Sequence, residues 1–482
     1  MALFYVGSGG NDASAGTSWG ARWLTIGKAL STGNGVANGD TVYVAPGTYR
    51  EVKSVTLAPT ARVNIVGDVS GANTDGVGGP VTMSGFTTND TSASSGSTTL
   101  DLNGKNFFAF KNITIVSGGA NAVNCSLSHD CSFTGCPMIA MSPATGALAI
   151  STTSAVAANL TFDGCPIVNI SSPAVTILLA QVPTADFDYN ITFKNCHVEA
   201  PSSNFAFKVN MSGSNTNFGG GVRFYSGVVI GNYGFIVGFS DNALSTSIPA
   251  VSVYGSIVFG SQGAALFANT SGYITEDYNI VGGSRNGVTA GTHSKTPSSS
   301  FYPGFDFGHS WVQGFDGRPF LSPLPGSQAA FFNAQGSMPT TDAIGRPRSP
   351  DNIQAVGPYE RYNPAVASAS GDVGDCDAIT GPGSMDVQIA LDGTATTITV
   401  KCKTSGYTGT NYPQFDVIDN TGAVVNTTSF TVASSSAFES QTSASFTPTI
   451  PSGLDGVLYT VRLHSRDGAT TGTTLFDTVS AS

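Results

Sequence analysis

Four carboxylates stand in pairs close enough along the chain to act together. The segment "TADFDYN" carries Asp186 and Asp188, and "TEDYN" carries Glu276 and Asp277. Cleavage of a glycosidic bond uses two carboxyl groups several ångströms apart, one as acid and one as base or nucleophile. In an extended strand, residues two apart project to one side and immediate neighbours project to opposite sides. Asp186 and Asp188 therefore make the better pair, while Glu276 and Asp277 diverge. The competing expectation for all four is a solvated corner acid, because carboxylates are mostly exposed. Asp163 and Glu199 are further, isolated acids. A second group of residues is aromatic: "SFYPGFDFGHSWVQGFDGRPF" (300–320) offers Tyr302, Trp311 and Phe315. Their faces could stack on sugar rings, although closing a core is the more ordinary use of such a segment.

Other chemistries find little support. No P-loop, HExxH motif or EF-hand loop occurs. The five histidines are dispersed, and His197 is expected to point outward as a solvated side chain. No CxxC pair or Cys/His spacing suggests a metal, and neither a cofactor nor a metal is expected. With 20 basic and 31 acidic residues the formal charge is −11, and no Lys/Arg run is present to displace counterions from nucleic acid. An acidic polymer would be repelled at long range, so a neutral glycan is the easier partner. No apolar run is long enough to span a membrane. The opening "MALFYVGSGGND" lacks a basic region, a long apolar core and a cleavage site. A protein released by lysis or assembly meets that condition, as does one whose export signal has been removed.

The elements that would position these residues follow from a repeat. Charged residues make up only 11% of the chain, against about 25% in average globular proteins, and 59 residues are glycine. That composition suits an all-β protein with many tight turns. The segments "LTFDGCPIV" and "ITFKNCHV" align on Cys165 and Cys196, and "CSFTGCPMI" adds Cys136. Ile113, Gly227, Ser256 and Tyr278 extend the alignment, in steps of 22 to 31 residues. A constant strand–corner–strand unit at a variable period indicates a solenoid whose loops absorb the differences. Equivalent residues then stack about 4.8 Å apart, and Cys136, Cys165 and Cys196 form a buried ladder of compact side chains. Cys125 and Cys131 fall outside this register. "WGARWLTIGKAL" (19–30) places Trp23, Ile26 and Leu30 on one face of a short helix that would cover the first coil. "GDTVYVAPGTYRE" follows as a first strand, with Val42 and Val44 alternating.

Together, "YVGSGGNDASAGTSWGARWLTIGKAL" and "GDTVYVAPGTYRE" resemble the N-terminal signature of right-handed parallel β-helices in the pectin-lyase-like superfamily. "DAIGRPRSPDNIQAVGPYE" (342–360), with Arg346 and Arg348, resembles the terminal coil of many such proteins. The resemblance implies a capped right-handed parallel β-helix over residues 1–361. It says little about activity, because the superfamily mixes lyases, hydrolases, phage tailspikes, adhesins and inert spacers. Its lyase motifs do not map onto this chain: Arg223 and Arg285 lie in the coils without a recognisable acidic cluster.

Residues 362–375 read as a linker, and 376–482 as an immunoglobulin-like β-sandwich. In the latter, Asp392-Gly393 and Asn420-Thr421-Gly422 mark hairpin turns between alternating runs. Cys376 and Cys402 could be bridged in an oxidising compartment. The sequence favours an attachment or decoration appendage, in concrete form a bacteriophage virion component (tailspike-like fibre or capsid decoration) that binds surface glycans without turnover. A secreted polysaccharide hydrolase or lyase is the alternative. The expected partners are a cell-surface or extracellular glycan, other virion or surface proteins and further copies in a homotrimer, with no nucleic acid and no membrane insertion. The expected location is the virion, the extracellular space or the cell surface.

Overall fold

The computed structural model describes the chain apart from residues 87–95, 142–145, 153–158, 170–172, 181–186, 213–217, 240–250, 269–272, 295, 297–311, 314–318, 321–376, 381–383, 392–393, 406–411, 420–421, 432–437, 450–456, 466–472 and 482. The chain divides into two compact units, one N-terminal and one C-terminal.

The N-terminal unit is a right-handed parallel β-helix. Its first sheet stacks ten parallel strands, from Leu3–Val6 and Thr41–Val44 through Cys131–Thr134, Asn159–Asp163 and Phe187–Lys194 to Val251–Tyr254 and Ile274–Asp277. A second stack begins at Gly47–Arg50 and a third at Lys53–Ser54. In the last four coils the second and third strands run together as His197–Ser212, Val228–Phe239, Ile257–Ala268 and Ile280–Asn286. The register shifts between Ala200 and Phe205, and again between Gly231 and Phe235, so each long strand turns the corner at an irregularity.

Alternation dictates what lies inside. On the first sheet one inward position carries Phe110, Phe133, Phe162, Phe193 and Phe224 on successive coils. The Phe110–Phe133, Phe133–Phe162 and Phe162–Phe193 rings are stacked, with centroids 5.0, 5.3 and 4.8 Å apart. Offset stacking at the coil spacing adds about 0.5–1.5 kcal/mol per pair beyond area burial.

From Phe108–Lys111 onward, a corner of two or three residues follows each first-sheet strand. Its first residue takes a left-handed backbone: Asn112, Gly135, Gly164, Asn195, Ser226, Gly255 and Tyr278, with φ between 52° and 60°. Its second residue points inward, giving the ladder Ile113, Cys136, Cys165, Cys196, Gly227 and Ser256, all buried. The thiols bond back along the stack, Cys165 Sγ to Phe133 O at 3.4 Å and Cys196 Sγ to Phe162 O at 3.5 Å. On the last described coil the ladder residue is Asn279, not Tyr278 as the alignment expects. Tyr278 fills the left-handed position that other coils give to Asn, Gly or Ser.

The cap also departs from expectation. In place of one helix over 19–30, a 3-10 turn at Trp19–Ala21 is followed by an isolated bridge between Trp23 and Val6, then a one-turn helix at Ile26–Ala29. Asp12 accepts hydrogen bonds from the backbone N–H groups of Leu24 and Thr25, which bends the chain between the two turns. Trp23, Ile26 and Leu30 are nevertheless buried, and Trp23 stacks on Phe4 at 5.2 Å. Glu51 accepts the N–H groups of Ile26 and Gly27 and so fixes the turn against the first coil.

In the C-terminal unit two four-stranded antiparallel sheets form the expected sandwich. Its core includes Ile398, Val400, Phe415, Phe430 and Val461. Gln414–Ile418 and Val424–Ser429 pair as a hairpin, as the glycine at 422 predicts. Cys402 is a free, buried thiol; Cys376 lies outside the described residues.

Candidate functional site

On the outer face of the first sheet, side chains from successive coils line up in rows. One row runs Asp163, Lys194, Tyr225, Tyr254 and Asp277, each opposite the next in register. The Tyr225 and Tyr254 rings are 6.2 Å apart and tilted by 41°. Four positions earlier on the same strands runs a chain of hydrogen bonds, which Arg223 joins from the row between. Asn159 Nδ2 donates to Asp130 Oδ1 at 2.9 Å, Asn190 Nδ2 to Asn159 Oδ1 at 3.2 Å, and Arg223 Nη1 to Asn190 Oδ1 at 2.9 Å. His129 Nδ1 meets the other Asp130 oxygen at 2.8 Å. Burial raises the Asp130 carboxyl, but the hydrogen bonds from Asn159 and His129 outweigh it and leave the group below the usual carboxylate range.

The last described coil ends this face in a denser cluster. Glu276 sits at the inward position that Val253 occupies one coil earlier. Its buried carboxylate accepts from Asn279 Nδ2 (2.8 Å), Arg285 Nε (2.9 Å), Gly291 N (2.9 Å) and Ser294 Oγ. A buried charge needs this degree of pairing to be tolerated. Arg285 Nη1 donates to Thr296 Oγ1, while its Nη2 is buried with no hydrogen-bond partner among the described residues. Asp277 points outward, as the alternation requires. It accepts from His293 Nδ1 (2.9 Å), His293 N (2.8 Å) and Tyr278 N (2.9 Å). Burial raises the Asp277 carboxyl, but these hydrogen bonds prevail and hold it below its ordinary value. The Tyr278 ring stacks on the His293 imidazole at 4.2 Å, the planes within 7°.

Glu276 and Asp277 thus diverge and cannot face one scissile bond together. Glu276 is structural, and Asp277 is an exposed-side acid committed to a histidine. Asp186 lies outside the described residues. The Asp188 backbone pairs with Gly219 in the strand Phe187–Lys194, but its side chain is not among those described. Tyr302, Trp311 and Phe315 lie outside the described residues. Asp163 accepts from Asn195 Nδ2 at 3.0 Å. Glu199 meets His197 Nε2 at 3.1 Å, and His197 is buried rather than solvated. It stands between Pro166 and Val228 of the neighbouring coils, with Glu199 two residues on to satisfy its ring. "GTSWG" (16–20) has the spacing of a nucleophile elbow, but Ser18 precedes a 3-10 turn instead of joining a strand to a helix. Among the described residues no group of three or more His, Cys, Asp or Glu could hold a metal ion.

The family model described as "Protein of unknown function (DUF1565)" matches residues 8–182, the cap and the early coils. The chain is a parallel β-helix protein. Among solved structures this β-helix protein is similar to pectate lyase Pel9A, at 12% identity over 75% of this chain and 97% of that one, with a TM-score of 0.32. It is also similar to the tailspike protein gp49 of Acinetobacter baumannii bacteriophage Fri1, a capsular polysaccharide depolymerase, at 10% identity over 100% of this chain and 72% of that one, with a TM-score of 0.27. A pectin methylesterase from Aspergillus niger aligns at 14% identity over 62% of this chain and 82% of that one, with a TM-score of 0.29. No curated protein matches the chain. Among the described residues no helix is long and apolar enough to cross a membrane.

Proposed function

We propose that this β-helix protein is an attachment appendage that lays the outer face of its first sheet along a surface glycan. In concrete form it is a bacteriophage virion component, a tailspike-like fibre or capsid decoration, assembled as a homotrimer. The observation that carries the glycan reading is the Tyr225–Tyr254 pair on adjacent coils, 6.2 Å apart, with the Asp130–Asn159–Asn190–Arg223 chain two to four positions earlier on the same outer face. Aromatic rings receive the apolar faces of sugars, and a row of amides and charged groups can meet their hydroxyls. Repetition of both at the coil spacing suits a linear polymer. The virion assignment draws on the superfamily resemblance in the sequence. The division into 1–361, 362–375 and 376–482 is part of the same reading, with the sandwich as a separate module.

The test is affinity electrophoresis through gels containing a panel of bacterial and plant polysaccharides. Retardation of the wild type, abolished in Tyr225→Ala/Tyr254→Ala, is expected. Migration unaffected by every polysaccharide would overturn the glycan reading. Immunogold labelling of virions and cell envelopes separates the particle assignment from a free secreted protein, and equilibrium sedimentation decides the trimer.

A further inference from the structure

His293 is held far more firmly than an exposed side chain needs to be. The residue is about half exposed, with a side-chain accessibility of 52%, yet four constraints converge on it. Asp277 takes hydrogen bonds from both its Nδ1 and its backbone N–H. The Tyr278 ring lies flat against it. The loop is pinned on either side of it, at Gly291 N and Ser294 Oγ, by the buried carboxylate of Glu276. Tyr278 reaches the imidazole from a left-handed backbone with φ 56°, a conformation that costs a non-glycine residue about 1–2 kcal/mol. The left-handed corner itself recurs on the coils from Asn112 onward; what is particular here is that a tyrosine fills it and lays its ring on the imidazole.

The tautomer follows from the geometry. With Nδ1–H donated to Asp277, the neutral ring presents Nε2 as a hydrogen-bond acceptor. Asp277 stands opposite Tyr254 in register, and Tyr254 opposite Tyr225. The imidazole is therefore tied to the strand that neighbours Tyr254, through the outward side chain of Asp277.

We propose that His293 Nε2, with Tyr254 and Tyr225, forms a saccharide subsite on the last described coils that selects a neutral sugar. The imidazole accepts a hydrogen bond from a sugar hydroxyl while the ring of that sugar or its neighbour stacks on tyrosine. A uronate carboxylate is an acceptor only. It would set lone pair against lone pair at Nε2 and face the charge of Asp277 directly behind it. Asp277 and Tyr278 are positioning residues. This inference rests on the glycan reading above and adds to it the class of sugar and the group that reads it.

The experiment measures retardation at pH 8 in gels of neutral polysaccharides (galactan, mannan, β-glucan) and of polyuronates (polygalacturonate, alginate). The wild type, His293→Ala, Tyr278→Ala and, as a control on the other unit, His464→Ala are compared, with melting curves for each. The expected result is wild-type binding to a neutral polymer in preference to the polyuronates. His293→Ala should weaken it about tenfold, the loss of one net hydrogen bond, Tyr278→Ala less, and His464→Ala not at all. Stronger binding to a polyuronate, or neutral binding unchanged in a folded His293→Ala protein, would overturn this subsite while leaving the glycan reading intact. Binding to none of the polymers would remove both.

Discussion

Glu276 and Val253 are partners in register, so on the last described coil a carboxylate takes the inward position that phenylalanine and valine fill on the coils before it. A charge thereby stands inside the stack. Glu276 Oε1 holds Arg285 Nε and Gly291 N, and its other oxygen holds Asn279 and Ser294. Removing one partner of a buried pair costs about 3–5 kcal/mol, whereas replacing both with apolar groups is often neutral. Glu276→Ala should therefore strip hydrogen-exchange protection from Ile280–Asn286, and Glu276→Leu/Arg285→Leu should restore much of it. Equal protection in Glu276→Ala and wild type would show that the pair does not close the coil.

The inward ladder tolerates no bulk at Gly227. A Cβ there would press on the Phe224 ring and lie 2.7 Å from Cys196 O. Gly227→Ala should lose about 1–3 kcal/mol through overpacking, read as a lowered denaturation midpoint. An unchanged midpoint would mean that the coils can spread apart at this point.

The described cysteines should be silent to a thiol reagent in the native state. All six are buried, and desolvation pushes Cys131 up to about 11 and Cys402 to about 12. Since the thiolate is the nucleophile, labelling of Cys136, Cys165 and Cys196 at pH 8 should await denaturant. Rapid native labelling of any of the three, located by peptide mapping, would contradict the ladder.

Acid should loosen the terminal coil through Asp277. Its folded-state pKa is depressed, so it adds stability above the unfolded value, about 3.9, and loses it as pH falls through the lower folded value. Near-ultraviolet circular dichroism of the Tyr278–His293 stack should fade over that window in the wild type. In Asp277→Asn the pH dependence should be absent. Identical acid profiles for the two proteins would assign the loss to other groups.

Limited proteolysis should cut first at 362–375, where Ala, Ser, Gly and Asp offer little to bury. A resistant N-terminal fragment and a C-terminal fragment of about 110 residues, the size of one sandwich, are expected. Early cleavage within 100–280 with the linker intact would argue against this division.

The solenoid was legible because a small residue recurs at one corner and its neighbours alternate around it. Cys136, Cys165 and Cys196 betray the register because a rare residue type recurs on three successive coils. The same logic slips by one residue at the end: Tyr278 is no ordinary occupant of a left-handed corner, so the alignment passes over Asn279. The expectation for His197 fails because its burial comes from Pro166 and Val228, brought beside it by coil stacking. His293 was out of reach for a similar reason. Its partner Asp277 is 16 residues earlier, and only the fold of the loop after Asn286 returns the imidazole to it. The divergence of Glu276 and Asp277, by contrast, needs nothing beyond strand alternation.

The ladder also changes character along the axis, from Ile113 through three cysteines to Ser256 and Asn279. In the middle, coils are nearly interchangeable, since a phenylalanine over a phenylalanine and a thiol over a thiol make the same contacts wherever they occur. At the end they are not. Ser256 N–H requires Asn279 Oδ1, and Asn279 requires Glu276. A substitution in the middle of the ladder is therefore a local matter, whereas one at Ser256, Asn279 or Glu276 reaches all three.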